Sequence, residues 1–176
     1  YIARHLGIDD SPSELSEWRS MVERIKSPKG EVRIALVGKY NKVDAGGPIM
    51  RLAEFLRDKG YRVLLTIHTA ERMNIPGYET ARLVEVGDLA DLAIVMGGDG
   101  TLLNVGRVLA DSDVAVVGIN QGRLGFLTDV SVDTMFDTME EILAGEFVSE
   151  TRFLLDVSVL RDGEQVSRAR AFNDVA

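Results

Sequence analysis

The chain has 176 residues, of which 45% are hydrophobic and 27% are charged, and its formal net charge is −8. This length accommodates one full domain and part of a second, and the composition is typical of a folded globular protein. The negative charge argues against nucleic acid or an anionic membrane as a partner. The absence of cysteine excludes disulfides, thiolate metal sites and a cysteine nucleophile. No apolar run is long enough for a membrane span and no signal peptide is visible, which favours a cytoplasmic protein.

Residues 1–30 are predicted to form a helical linker. Ser11-Pro12-Ser13-Glu14 is a capping box with proline at the first helical position. Apolar side chains then recur at helical spacing until about residue 26, and Ser27-Pro28-Lys29-Gly30 ends the helix. Nothing in this segment carries chemistry.

From residue 31 to about 150, strand and helix patterns alternate. The predicted strands cover residues 32–37, 61–67, 92–96 and 114–119. The predicted helices run from Pro48 to Gly60, over 100–110 and over 131–144, with a short helix around 79–86 in an otherwise loop-rich stretch. This alternation predicts an α/β fold, a Rossmann-like parallel sheet with helices on both faces. Ligands of such sheets bind beyond the carboxyl ends of the strands.

The pattern changes after residue 150. Residues 152–160 alternate apolar and polar side chains, residues 161–164 supply a turn, and residues 165–172 would form the returning strand. This pattern predicts a β-hairpin.

The most informative motif is Gly97-Gly98-Asp99-Gly100-Thr101, which leaves the predicted strand 92–96 and opens a helix. Glycines at such a turn let the backbone approach a ligand closely, and the helix N-terminus offers N–H groups to phosphate. Asp99 is therefore predicted to lie beside the phosphates, and Gly98 and Gly100 to need either a positive φ or a close ligand. A turn in which Asp99 bonds only its own backbone is the structural alternative.

Two further motifs follow in order. Asn120-Gln121-Gly122-Arg123-Leu124-Gly125-Phe126-Leu127-Thr128 is a second glycine-rich loop after a strand, and Asn173-Asp174 stands near the end. Together with the first motif, they resemble the ATP-dependent NAD kinases over roughly residues 31–176. Residues 1–40 resemble the linker of CTP synthase that joins the synthetase domain to the glutaminase domain. The resemblance does not continue into a glutaminase, because a class I glutaminase needs a cysteine nucleophile and this chain has none. The chain therefore looks like a join between two families near residues 34–40.

The NAD kinase resemblance implies a domain, an activity and a site. Residues 151–176 would be the incomplete start of a β-rich NAD-binding domain. ATP, carrying Mg²⁺, would phosphorylate the 2′-hydroxyl of the adenosine ribose of NAD to give NADP, with Asp99 as the base. Phe126 would lie near the adenine, and Asn173 and Asp174 would bind NAD. The implied nucleotide-binding set is Gly97, Gly98, Gly100, Thr101, Asn120, Phe126, Asn173 and Asp174. His5 and His68 have no partner at ligand spacing, so no protein metal site is expected.

Other functions stay open at this point. A catalytically inert α/β nucleotide-binding domain is one alternative, and a lipid or sphingoid-base kinase that shares the Gly-Gly-Asp-Gly turn is another. The loop from Asn120 to Thr128 argues against lipid kinases. Small nucleotides are the expected partners, a homo-oligomer is left open, and the chain by itself is expected to show weak or undetectable kinase activity.

Overall fold

A computed structural model of the chain describes residues 32–38, 46–122, 125, 127–128 and 130–172. All of them fall within one structural unit, Val32–Ala176. The predicted helical linker over residues 1–30, and with it the linker-like resemblance, lies outside the described residues. Among the helices described, none is long and apolar enough to cross a membrane.

The main element is a six-stranded sheet in which every paired neighbour is parallel. Its strands are β1 (Arg33–Gly38), β2 (Arg62–Thr66), β3 (Glu79–Ala81), β4 (Leu92–Met96), β5 (Ala115–Asn120) and β6 (Val130–Ser131). They lie in the order β3-β2-β1-β4-β5-β6. Chain order therefore reverses between β1 and β4, and this is where an open α/β sheet forms its ligand crevice.

Five α-helices accompany the strands in the part of the chain that the structure describes. They are α1 (Gly46–Asp58), α2 (Ile67–Met73), α3 (Val86–Leu89), α4 (Asp99–Val108) and α5 (Met135–Leu143), with a 3₁₀ turn at Leu83–Glu85. Gly60 and Gly145 follow α1 and α5 with φ of 89° and 86°. This left-handed conformation favours glycine and ends both helices where the sequence predicts.

The sheet is covered on both faces, as the alternation predicts. Ile34 and Leu36 of β1 pack in a cluster with the apolar residues of α1 and α5. The intervening Ala35 and Val37 pack in a second cluster that contains residues of α3 and α4. Successive side chains of a strand point to opposite faces, so these two clusters are the two layers of an α/β sandwich. The predicted Rossmann-like fold is confirmed.

Three local predictions are wrong. Residues 67–73 form α2 instead of strand and loop, because the Oγ1 of Thr66 accepts the N–H of Thr69 and Asn74 ends the helix at φ 50°. Residues 79–81 form the edge strand β3 instead of a helix. The predicted helix 131–144 begins only at Met135, because residues 130–131 form β6.

The predicted hairpin is confirmed as a two-stranded antiparallel sheet, β7 (Leu155–Arg161) and β8 (Glu164–Ala171). Asp162 and Gly163 form the two-residue turn with φ of 52° and 84°. Positive φ at both central residues matches the right-handed twist of the strands. Most side chains of both strands are exposed.

Candidate functional site

The glycine turn lies at the carboxyl edge of the sheet, where β4 passes into α4. Gly97 follows the last residue of β4, and its N–H donates to the carbonyl of Ile119 on β5 at 2.9 Å. Gly98 caps the helix, and Asp99 is the first helical residue. A carboxylate in the first turn of a helix is stabilised by the positive end of the helix dipole. The turn therefore holds Asp99 at the mouth of the crevice beside β1.

Asp99 is held by the second glycine-rich loop. The backbone N–H of Leu127 donates to Asp99 Oδ1 at 3.1 Å, and the Thr128 hydroxyl donates to the same oxygen at 3.4 Å. Thr128 is completely buried, so its hydroxyl depends on protein partners. These contacts join two motifs that are 28 residues apart in the sequence, and they fix the orientation of a half-buried carboxylate.

Gly125 makes this contact sterically possible. A Cβ at position 125 would lie 2.1 Å from Asp99 Oδ1 and 2.8 Å from Thr128 Oγ1. No side chain fits in that space, so the glycine lets the loop close onto the carboxylate.

Asn120, the last residue of β5, is buried at the start of the same loop. Its Oδ1 accepts the N–H of Gly122 at 3.0 Å, which shapes the loop as an Asx turn. Phe126, Asn173 and Asp174 lie outside the described residues, and their predicted roles stay predictions.

Gly98 and Gly100 were predicted to need either a positive φ or a close ligand, and the first of these two reasons is wrong. Gly98 has φ −98°, and Gly100 is not among the glycines with positive φ. Among the described residues, a Cβ at either position would meet no atom within 4 Å. Backbone strain therefore does not require these glycines, and their predicted approach to a ligand stays a prediction.

A cavity of about 730 Å³ opens beside the glycine turn. Its floor is formed by the carboxyl ends of β1 and β2, one wall by α2 and the opposite wall by α4. Gly38, His68, Glu71, Arg82, Gly100, Thr101 and Asn104 are among the residues that line it. In the strand order, the cavity lies on the β1–β2 side of β4, the loop that begins at Asn120 lies on the β5–β6 side, and Asp99 follows β4 between the two.

The polar groups of the cavity are of two kinds. Thr101 Oγ1 is shielded from solvent and has no hydrogen-bond partner among the described residues. Arg82 is an exposed cation whose guanidinium donates to Glu85 Oε1 at 2.6 and 3.0 Å. The hydrogen bond with Glu85 raises the pKa of Arg82 and lowers that of Glu85, so both groups stay charged. An orphaned hydroxyl and an oriented cation suit a polar, anionic ligand.

Two features of the site are absent from the sequence-based prediction. One is Thr128, which belongs to a quoted motif but whose contact with Asp99 depends on loop closure. The other is the cavity floor, where Thr69 Oγ1 accepts the N–H of Gly38 at 3.0 Å and lies 2.6 Å from Thr66 Oγ1. The sequence does contain a signal for α2, because Thr66 is its N-cap and Asn74 is its left-handed C-cap. These two residues identify the helix, and the helix forms one wall of the cavity.

The described residues contain no group of three or more His, Asp or Glu side chains placed to hold a metal ion.

The comparisons with known proteins identify a family. Residues 34–147 match the family model for the ATP-NAD kinase N-terminal domain. The chain is 51% identical over 142 residues to an NAD kinase of Nitrosomonas europaea, covering 81% of this chain and 48% of that protein. It is 47% identical over 142 residues to an NAD kinase of Thiobacillus denitrificans, covering 81% of this chain and 49% of that protein.

Among solved structures, the fold is similar to that of yeast NADH kinase complexed with NADH. The TM-score is 0.69 at 18% sequence identity, and the match covers 82% of this chain and 48% of that one. The chain spans about half the length of the curated relatives it matches. The family model covers well over half of the chain, and the chain therefore belongs to the ATP-NAD kinase family and contains its N-terminal domain.

Proposed function

We propose that this chain forms the N-terminal part of an NAD kinase, an enzyme that transfers the γ-phosphate of ATP to the 2′-hydroxyl of the adenosine ribose of NAD. The observation that carries the proposal is the placement of Asp99. One carboxylate is held at a helix N-terminus by Leu127 and Thr128, and the two residues that follow it, Gly100 and Thr101, line the cavity. Phosphoryl transfer depends mainly on such positioning and on local electrostatics.

The cavity beside α4 takes the donor nucleotide. Its volume of about 730 Å³ lies within the range of small-molecule sites. The first-turn N–H groups of α4 face the triphosphate, while Thr101 Oγ1 and the Arg82 guanidinium supply further donors. The overall charge of −8 does not oppose this, because ATP arrives as its Mg²⁺ complex and the ion is held by the phosphates.

The acceptor binds on the other side of Asp99, against the loop of residues 120–128. Asp99 accepts the proton of the ribose 2′-hydroxyl as the oxygen attacks the γ-phosphorus, and ADP leaves as the β–γ bond breaks. Asn120 shapes this loop, and Phe126, Asn173 and Asp174 complete the NAD surface. The last two residues belong to the β-rich domain that we propose to begin near residue 151, a division supported by the end of the family match at residue 147. The enzyme is proposed to act in the cytoplasm.

The proposal is tested by separating binding from turnover. Calorimetric titration of the 176-residue chain should detect ATP·Mg²⁺ binding, whereas NADP formation, followed with an NADP-specific dehydrogenase, should be weak or undetectable. NADP should form once the chain is extended to the length of its relatives with the C-terminal segment of the Nitrosomonas europaea protein. Asp99→Asn in that extended chain should retain nucleotide binding and lose turnover.

Two results would overturn the proposal. Binding without turnover in the extended chain would support an inert nucleotide-binding domain. Robust NADP formation by the 176-residue chain alone would show that this half, or a dimer of it, builds the whole site.

A further inference from the structure

Two buried threonine hydroxyls lie at the floor of the cavity, where β2 passes into α2. Thr66 Oγ1 and Thr69 Oγ1 are 2.6 Å apart, and either hydroxyl could donate to the other. Thr69 Oγ1 also accepts the N–H of Gly38 at 3.0 Å, and Thr66 Oγ1 accepts the N–H of Thr69 at 3.4 Å. Thr69 is completely buried and Thr66 is 3% exposed, and of the two only Thr66 lines the cavity.

Only one direction of this hydroxyl–hydroxyl bond allows both groups to be satisfied. A threonine hydroxyl has one proton to donate and two lone pairs that accept. If Thr66 donated to Thr69, the proton of Thr69 would be left at a completely buried position with no acceptor among the described residues, which is unfavourable. If Thr69 donates to Thr66, the proton that remains is that of Thr66, and an acceptor in the cavity can reach it. The hydroxyl of Thr69 therefore donates to Thr66.

This direction makes Thr66 a donor only. Both lone pairs of Thr66 Oγ1 are filled, one by the hydroxyl of Thr69 and the other by its backbone N–H. The part of a ligand that meets Thr66 must therefore be an acceptor, such as an anionic oxygen. Glu71 also lines the cavity, but it lies five residues further along α2, or about 7.5 Å along the helix axis. The anionic part of a ligand is accordingly expected at the Thr66 end of the cavity.

A second unused hydroxyl faces the same cavity from α4. Thr101 Oγ1 is shielded from solvent and has no hydrogen-bond partner among the described residues, and Thr101 lines the cavity. A Cβ at Gly97 would lie 2.6 Å from this oxygen, so the hydroxyl lies against the end of β4. Thr66 ends β2, and β1 lies between the two strands, so the strand ends are about 10 Å apart. An extended ligand with several acceptor oxygens suits both hydroxyls better than a single small anion.

We propose that Thr66 and Thr101 form a two-sided clamp that donates hydrogen bonds to the phosphate chain of the donor nucleotide. A phosphate chain fits because its non-bridging oxygens accept hydrogen bonds and are spaced along its length, and hydrogen bonds to charged oxygens are strong. The inference rests on the proposed function for the identity of the nucleotide, but the clamp itself is also tested with inorganic tripolyphosphate.

The first experiment measures ATP·Mg²⁺ affinity by calorimetry with the 176-residue chain. Thr66→Val keeps the shape of the side chain and removes its hydroxyl. It should weaken binding about tenfold or more, the equivalent of one lost hydrogen bond to a charged group, whereas Thr66→Ser should stay within about threefold of the parent. Thr101→Val should also weaken binding, and it should not lower the free energy of unfolding, because its hydroxyl has no partner among the described residues.

The matched control is Thr134→Val. Thr134 is the N-cap of α5, is exposed and does not line the cavity, so this variant removes a threonine hydroxyl from another helix start. It should leave the affinity unchanged. Equal affinities of Thr66→Val and the parent would overturn the clamp. A loss in Thr66→Ser or Thr134→Val as large as that in Thr66→Val would assign the effect to the helix start and would overturn it too.

The second experiment needs neither a nucleotide nor a variant. The threonine methyl resonances of the parent chain are followed by NMR during titration with inorganic tripolyphosphate and Mg²⁺. Those of Thr66 and Thr101 should shift, and that of Thr134 should not. Unchanged Thr66 and Thr101 resonances throughout the titration would overturn the clamp, even where ATP·Mg²⁺ binds. Shifts at both threonines without any ATP·Mg²⁺ binding would support the clamp and refute the nucleotide part of the proposed function.

Discussion

Gly125→Ala tests whether the loop and Asp99 form one unit. The added Cβ would lie 2.1 Å from Asp99 Oδ1, and ordinary contact begins near 3.4 Å. The two groups must therefore separate by about 1.3 Å. The bonds from Leu127 N–H and the Thr128 hydroxyl are already 3.1 and 3.4 Å long, so this displacement breaks both.

The expected loss is about 2 kcal/mol in the free energy of unfolding. Overpacking a close contact costs roughly 1–3 kcal/mol, and a hydrogen bond to a charged group contributes roughly 1.5–3 kcal/mol. The two terms do not add fully, because a half-buried carboxylate that leaves the loop regains water. Urea unfolding of the 176-residue chain, with the slope against denaturant held constant, measures the difference.

Gly122→Ala is the matched control. It lies in the same loop, a Cβ there would meet nothing within 4 Å, and its φ is not positive. The backbone N–H that donates to Asn120 is retained. This variant should change the free energy of unfolding by less than about 0.5 kcal/mol.

A double-mutant cycle assigns the loss to Asp99. In the Asp99→Ala background, the atoms at 2.1 and 2.7 Å from the new Cβ are gone and only Thr128 Oγ1 at 2.8 Å remains. Gly125→Ala should then cost about 1 kcal/mol less than in the parent chain. Equal stabilities of Gly125→Ala and Gly122→Ala, or full additivity in the cycle, would refute the reasoning.

In the chain extended to family length, Asp99→Asn should lower kcat at least ~10²-fold with little change in thermal unfolding, and retained activity would refute the base assignment. Gly98→Val and Gly100→Val should abolish nucleotide binding in calorimetry. Both positions are open, so each change should alter the free energy of unfolding by less than about 1 kcal/mol. Normal NAD binding by both variants would show that the turn does not approach the nucleotide. The hydrogen bond from Arg170 lowers the pKa of Asp111, so the ion pair is fully formed above the unfolded pKa of about 4 and is lost as the pH falls through the lower folded value. Asp111→Asn should therefore reduce the acid-induced loss of stability in urea unfolding of the 176-residue chain, and an undiminished loss would assign the acid sensitivity to other groups, such as the Asp156–Arg168 pair of the hairpin.

The sheet could be predicted from the sequence because its strands are buried on both faces. Continuous apolar runs such as residues 92–96 have no competing interpretation, and that strand begins and ends as predicted. The edges of the sheet are different. β3 and β6 have three and two residues, and such short strands carry too little apolar pattern to separate them from loops or from the start of a helix.

Only those features of the candidate site that are formed by residues close together in the sequence could be predicted. The strand, turn and helix around Asp99 are local, and the structure places them as expected. The contact between Asp99 and Thr128 is not local, because it depends on β5 pairing beside β4 and on the loop returning over the turn. Gly125 has a steric role that appears only when both segments are in place, which the spacing of motifs cannot show.

Asp99 lies where two surfaces with different properties meet. On one side, the cavity between α2 and α4 contains open backbone at Gly100 and the unpaired hydroxyl of Thr101. On the other side, the loop of residues 120–128 is tied to the sheet and to Asp99 by hydrogen bonds. A phosphoryl transferase needs its donor and acceptor on opposite sides of the transferred group, roughly in line. Under the proposed function, the open pocket on one side, the ordered loop on the other and the carboxylate of Asp99 would supply the part of that requirement that lies in the described residues.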